Sequence, residues 1–287
     1  MHYVALAIQG LTLGAIYVLV ALGFHLVFRT VGILDFAQGD KVVVGGLLAL
    51  TLVRSALPLA LVVLVVLLAG LCAGVIYEFV VVRPSLRRGP DAAVVATVGA
   101  LLILSSGHIL IWGATAQPFP ALVSGSVAIG SSRVDAQDFV VWAVVAVIVV
   151  GLALFLERTR YGKAMVASAA DPMAAGAVGI DVSRVRIMAA AIAFGLAALG
   201  GVLIAPITLA GGTVGPSLTL KAFTAATLGG LSSTAGVVIG GLLLGLFEIM
   251  VGVRLPTEYR DPLVFAILIL LLLIKPSGLF GSRERLA

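Results

Sequence analysis

The chain of 287 residues is 61% hydrophobic and 11% charged, with a mean hydropathy of +1.24. A soluble domain would carry roughly a quarter charged residues, so a soluble enzyme is excluded and an integral membrane protein is indicated. The net charge of +5 does not point to nucleic acid, because the basic residues sit in a few loops between apolar runs.

Apolar runs recur along the whole chain, which reads as one membrane domain over 1–287 with no separate soluble part. Span 1 is Tyr3 to Phe28, too long for a cleaved signal peptide and closed by Arg29. The next apolar run, Val42 to Val53, covers only about 18 Å as a helix. Extending it to Thr30 gives a second span, but Asp35, Gln38, Gly39, Asp40 and Lys41 then fall inside it. Span 2 is therefore predicted as Thr30 to Val53, broken in its cytoplasmic half. Pro58 to Val82 is span 3, and Arg83, Arg87 and Arg88 follow it. Span 4 is Ala92 to Gly113. The loop Ala114 to Asp138 alternates like a strand around Val123 to Val134. Phe139 to Leu156 is span 5, Ile187 to Ala210 span 6, and Pro262 to Ile274 the last, with Asp261 as its cap.

The loops at 83–91 and 157–186 and the tail from Lys275 hold 11 of the 18 Lys and Arg residues, which assigns them to the cytoplasm. Trp112 and Trp142 then both fall at the outer interface, as an aromatic belt requires. With span 6 leaving the cytoplasm and the last span returning to it, the run Leu220 to Val253 must enter and come back. Its turn is placed at Gly229, Gly230, Ser232, Ser233, Thr234 and Gly236. Two full crossings need about 40 residues, so these 34 predict a tight, tilted or re-entrant hairpin. The count is about eight segments, two of them broken or re-entrant. Paired broken segments point to a transport pathway, here Asp35, Phe36, Gln38 and Gly39 with Gly229, Gly230, Ser232 and Ser233. For Gly240, Gly241 and Gly245, close helix packing is the simpler reading.

The basic loop Arg158 to Arg186 carries helix punctuation. Asp171 is an N-cap, Pro172 fits the first helical position and Gly179 supplies the left-handed stop, which predicts a helix over Pro172–Val178. A second helix is predicted from Gly162 to Ser168. Either this loop is a solvated connector, or it docks on a partner at the cytoplasmic face.

No phosphate-binding G-x-x-x-x-G-K-[ST] loop exists, since Gly162-Lys163 lacks the upstream glycine and the following hydroxyl. His2, His25 and His108 lack metal spacing, no metal-ligating set is visible, and no serine sits in a G-x-S-x-G elbow. Glu78, Glu248 and His108 read as interhelical or interfacial groups, and Lys221 as a residue that snorkels outward. A pathway and a docking element without an energy source suggest a permease driven by a separate ATPase. A self-sufficient secondary transporter remains the competing reading.

The chain resembles the permease subunits of ABC importers for branched-chain amino acids, the LivH type. The likeness rests on GLTLGAIYVLVALGFHLVFRTVGILDFAQGD at 10–40, RTRYGKAMVASAADPMAAGAVGID at 158–181, KAFTAATLGGLSSTAGVVIGGLLLGLFE at 221–248 and PTEYRDPLVFAILILLLLIKPSGLFG at 256–281. The resemblance implies a type II importer-like fold and a coupling helix at Asp171, Pro172, Ala175, Gly176, Gly179 and Ile180. It also implies a second, homologous permease, two cytoplasmic ATPase subunits that bind the ATP, and an extracytoplasmic solute-binding protein. No cofactor is expected on this chain, and the setting is the inner membrane of a bacterium or archaeon. Where the family shows Asn-Phe-Ala-His-Gly-Glu, this chain has Asp35-Phe36-Ala37-Gln38-Gly39-Asp40, so urea or short amides stand beside aliphatic amino acids as substrates.

Overall fold

The computed structural model describes residues 2–123, 125–129, 132–208, 211, 214–254, 256, 259–275 and 278–280. In chain order the elements are α1 (His2–Val31), α2 (Gln38–Arg54) and α3 (Leu59–Tyr77), the last running through a π-helical turn at Glu78–Val82 into α4 (Arg83–Leu86). Then come α5 (Pro90–Trp112), the strands β1 (Ser126–Ile129) and β2 (Ser132–Asp135), α6 (Ala136–Arg158), α7 (Arg160–Ala170) and α8 (Pro172–Ala177). The chain continues with α9 (Val182–Thr208), α10 (Gly215–Gly229), α11 (Thr234–Arg254) and α12 (Arg260–Ile274). The strand-like loop forms an antiparallel hairpin, with Val127 opposite Val134.

Among the described residues, six helices are long and apolar enough to cross a membrane. They are α1, the α3–α4 rod, α5, α6, α9 and α11. Helices α2, α10 and α12, with 17, 15 and 15 residues, reach only about 22–26 Å at 1.5 Å per residue, short of the ~30 Å hydrocarbon core. The eight segments expected from the sequence thus resolve into six full-length helices and three short ones.

Helix α1 is the axis. Its apolar window is 83% buried, against 17–22% for α3, α5 and α6, so α1 is wrapped by other helices while those three present apolar faces outward. It packs antiparallel on α11 through glycines: a Cβ on Gly10 would lie 2.9 Å from Leu246 Cα, and one on Gly14 2.8 Å from Leu242 Cα. Side chains there would separate the two helices. On α11, a Cβ at Gly245 would strike Gly14, one at Gly241 would meet Val18, and one at Gly240 would strike Ala225. The packing reading of these three glycines holds.

Several boundaries move. Thr30 and Val31 complete α1 rather than open span 2. Gly32 stops the helix with φ +76°, its N–H still donating to Phe28 O at 3.0 Å. The break in span 2 is therefore a non-helical segment between two helices, and α2 starts only at Gln38. Asp261 is not a cap but lies in the first turn of α12, where its carboxylate sits 2.8 Å from Lys221 Nζ. Lys221 does not snorkel outward: its second partner, Glu248 at 2.7 Å, ties α10 to α11.

Candidate functional site: a buried polar centre where two helices begin

After Gly32 the backbone has no helix to satisfy it, and side chains take over. Thr97 of α5 accepts from Phe36 N at 3.2 Å and donates to Leu34 O and Val94 O at 3.3 and 2.7 Å. The Asp35 carboxylate accepts from Ala37 N at 3.2 Å, forming a local turn, and from the Tyr77 hydroxyl at 2.8 Å. Its other oxygen is ion-paired with Lys41. Lys41 Nζ lies 3.9 Å from the Tyr77 ring centroid and 3.5 Å from Gln38 Oε1, while Gln38 Nε2 donates to Ala193 O of α9 at 3.2 Å. Asp35, Gln38 and Lys41 are at most 2% exposed, so each charge is compensated inside the protein, as burial demands.

Asp40 stands in the first turn of α2, where the positive end of the helix dipole favours a carboxylate. It accepts from Ser105 and lies 3.0 Å from His108 Nε2, both on α5. Helix α10 also starts here. Gly39 N donates to Thr219 Oγ1 at 2.9 Å, and a Cβ on Gly39 would overlap the Gly215 carbonyl. A Cβ on Gly215 would strike the Asp40 carboxylate. The N-termini of two short helices thus converge on one polar centre walled by α1, α5 and α9.

The glycine turn at 229–233 is a separate feature. Ser233 caps α11, its Oγ accepting from Gly236 N at 3.1 Å. The His25 ring of α1 spans Leu231 O and Thr234 Oγ1 at 2.7 and 2.9 Å. The segment at 278–280 donates back to Leu228 O and Gly229 O. Thr219 and Gly229 are separated by ten residues of α10, about 15 Å of rise. Asp35, Phe36, Gln38 and Gly39 gather at one end of α10, and Gly229, Gly230, Ser232 and Ser233 at the other. They do not share one cavity. A cavity of about 540 Å³ opens elsewhere, between the N-terminal part of α1 and the β-hairpin, lined by Gln9, Thr12, Asp135 and Asp138 together with Ile8 and Ile207.

Sequence reasoning placed Lys41 in the break of span 2 but missed Tyr77, His108 and Thr219 as members of the polar centre. Ionisable groups inside apolar spans were the available signal for Lys41 and His108. Nothing in the sequence pairs them with their partners, which lie 6 and 68 positions away.

In the basic loop, Asp171 Oδ1 accepts from Met173 N and Ala174 N, both at 2.9 Å, and caps α8. The helix ends one residue before the expected Val178. Gly179, at φ +87°, then closes it: Gly179 N donates to Gly176 O and Ile180 N to Ala175 O, both at 3.0 Å. Helix α7 extends beyond the expected Gly162–Ser168 at both ends, with the Thr159 hydroxyl accepting from Gly162 N at 2.9 Å. Ala175 is buried against the body of the protein, Gly176 faces open space, and Met173 and Val178 stand 87% and 78% exposed.

Six apolar helices, of which α1 is the most buried, with a buried polar centre at the starts of α2 and α10, define a multi-pass membrane protein. The family model described as branched-chain amino acid transport system / permease component matches residues 6–272, and the chain belongs to this family. It is 30% identical over 302 residues to the high-affinity branched-chain amino acid transport system permease LivH of Salmonella typhimurium, covering 99% of this chain and 97% of that protein. To the corresponding permease BraD of Pseudomonas aeruginosa it is 29% identical over 301 residues, with the same coverage. The fold is similar to that of PsaBC from Streptococcus pneumoniae in complex with Fab, with a TM-score of 0.51 at 15% identity over 96% of this chain and 93% of that one.

Proposed function

We propose that the chain is one membrane half of an ATP-driven importer for branched-chain or other aliphatic amino acids. A homologous permease forms the other half, and an extracytoplasmic binding protein delivers the substrate. Two cytoplasmic ATPase subunits bind the ATP. The chain sits in the inner membrane of a bacterium or archaeon, with α7 and α8 in the cytoplasm as the basic loops direct. The observation that carries this reading is α8: a six-residue helix capped at both ends that presents the apolar Met173, and Val178 at its C-cap, as exposed side chains.

Mechanism follows from that helix and the two short ones. ATP binding moves the ATPases, which push α8; α7 and α9, against which it packs, transmit the displacement to the polar centre at the starts of α2 and α10. Asp35, Phe36, Gln38 and Gly39 at one end of α10 and the 229–233 turn at the other bound the pathway from its two ends. The cavity beside α1 supports a zwitterionic substrate, because carboxylates suit an ammonium group and the aliphatic wall suits an apolar side chain. The test is affinity purification of the tagged chain, native and with residues 171–179 replaced by a neutral linker. Recovery of an ATPase and a second permease with the native chain alone is expected. A chain that transports by itself in liposomes would instead establish a secondary transporter.

A further inference from the structure

At the basic end of the molecule the π-turn delivers Arg83 against the first turn of α9. Its guanidinium lies 4.3 Å above the Phe79 ring and donates to Ser183. Arg186, one turn into α9, has its Nε 3.7 Å from the buried Glu78 carboxylate. Arg83, Arg87 and Arg186 line one pocket of about 250 Å³ with Ser183 and Leu86. Three guanidiniums and no carboxylate line it among the described residues, Glu78 being paired with Arg186 outside the lining, and the positive end of α9 adds to the same field. Like charges at this spacing repel, so the pocket is built for an anion.

The surface beside the pocket decides which anion. Ile76, Phe79 and Val80 are exposed apolar side chains on one stripe of the same rod, immediately membrane-ward of Arg83. A soluble anion has no use for that stripe, whereas acyl chains do. We propose that this pocket binds the phosphate headgroup of an anionic phospholipid, with the three arginines around the phosphate and the acyl chains along Ile76, Phe79 and Val80. Guanidinium suits phosphate through paired N–H donors, and anionic lipids concentrate in the leaflet that faces basic loops.

The experiment uses the full chain in a neutral detergent, with native mass spectrometry and thermal melting against phosphatidylglycerol, phosphatidylcholine and inorganic phosphate. Retention of phosphatidylglycerol over phosphatidylcholine is expected, with a matching rise in melting temperature that weakens at high salt. Because each arginine near the headgroup contributes about 1 kcal/mol, the double variant Arg87→Gln/Arg186→Gln should bind phosphatidylglycerol about thirtyfold more weakly. Arg88→Gln, outside the pocket, should bind as the native chain does. The lipid comparison on the native chain stands even if the double variant fails to fold. Equal retention of both lipids overturns the proposal, as does protection by inorganic phosphate alone, which would make it a free-phosphate site. Unchanged lipid binding in a double variant that has lost its co-purifying ATPase would reassign the pocket to a protein partner.

Discussion

Asp35 and Lys41 form an ion pair across the junction between a non-helical segment and the first turn of α2, both at or below 2% exposure. The pair fixes where α2 begins, and through Gln38 and Tyr77 it fastens that start to α9 and α3.

Removing one partner strands the other in the interior. Lys41→Met is expected to destabilise the chain by about 3–5 kcal/mol, and Asp35→Asn by a similar amount. The double variant should recover part of the loss, because it buries no unpaired charge. Melting of the four proteins in one detergent, followed by size-exclusion, measures the coupling; strictly additive losses would mean that the pair does not act as a unit.

Gly39→Ala and Gly215→Ala each place a methyl where a backbone carbonyl or the Asp40 carboxylate already sits. Overpacking costs typically about 1–3 kcal/mol, and here it also parts the starts of α2 and α10. Folded yield and uptake should both fall. Gly99→Ala on α5, whose Cβ would meet nothing within 4 Å, is the matched control and should leave both unchanged.

Met173→Asp in α8 and Val178→Asp at its C-cap alter only exposed side chains, so insertion and melting should stay as in the native chain. Uptake should be lost while the ATPase hydrolyses ATP uncoupled. Gly179→Val acts differently: a β-branched residue at φ +87° is strained by about 1–2 kcal/mol or more, so the helix end itself should loosen. Proteolysis within 171–180 would report that loosening, and unaltered coupling in all three variants would remove α8 from the mechanism.

Gln38→Leu deletes the bond to Ala193 O and leaves Lys41 with one polar partner fewer. Because Gln38 is fully buried among α1, α2 and α9, the loss should fall on every substrate alike. Competition between leucine and smaller amino acids checks this: a changed preference would place Gln38 in direct contact with the substrate.

The sequence by itself determined what depends on neighbouring residues. The α8 cap, its Gly179 stop and the hairpin turn at 229–233 follow from local hydrogen bonding and backbone sterics, which six or eight residues settle among themselves. Long apolar runs located the crossing helices to within a few residues. The tertiary structure alone decided that α1 is buried while α3, α5 and α6 face outward, since lipid and protein interior are equally apolar and hydropathy cannot tell them apart. It alone paired Asp35 with Tyr77, Asp40 with His108, and Lys221 with both Glu248 and Asp261, turning a lysine read as outward-facing into a link between three helices. In a medium without water a buried charge must find its partner wherever the fold brings one, and that partner is set by packing between distant helices rather than by spacing along the chain.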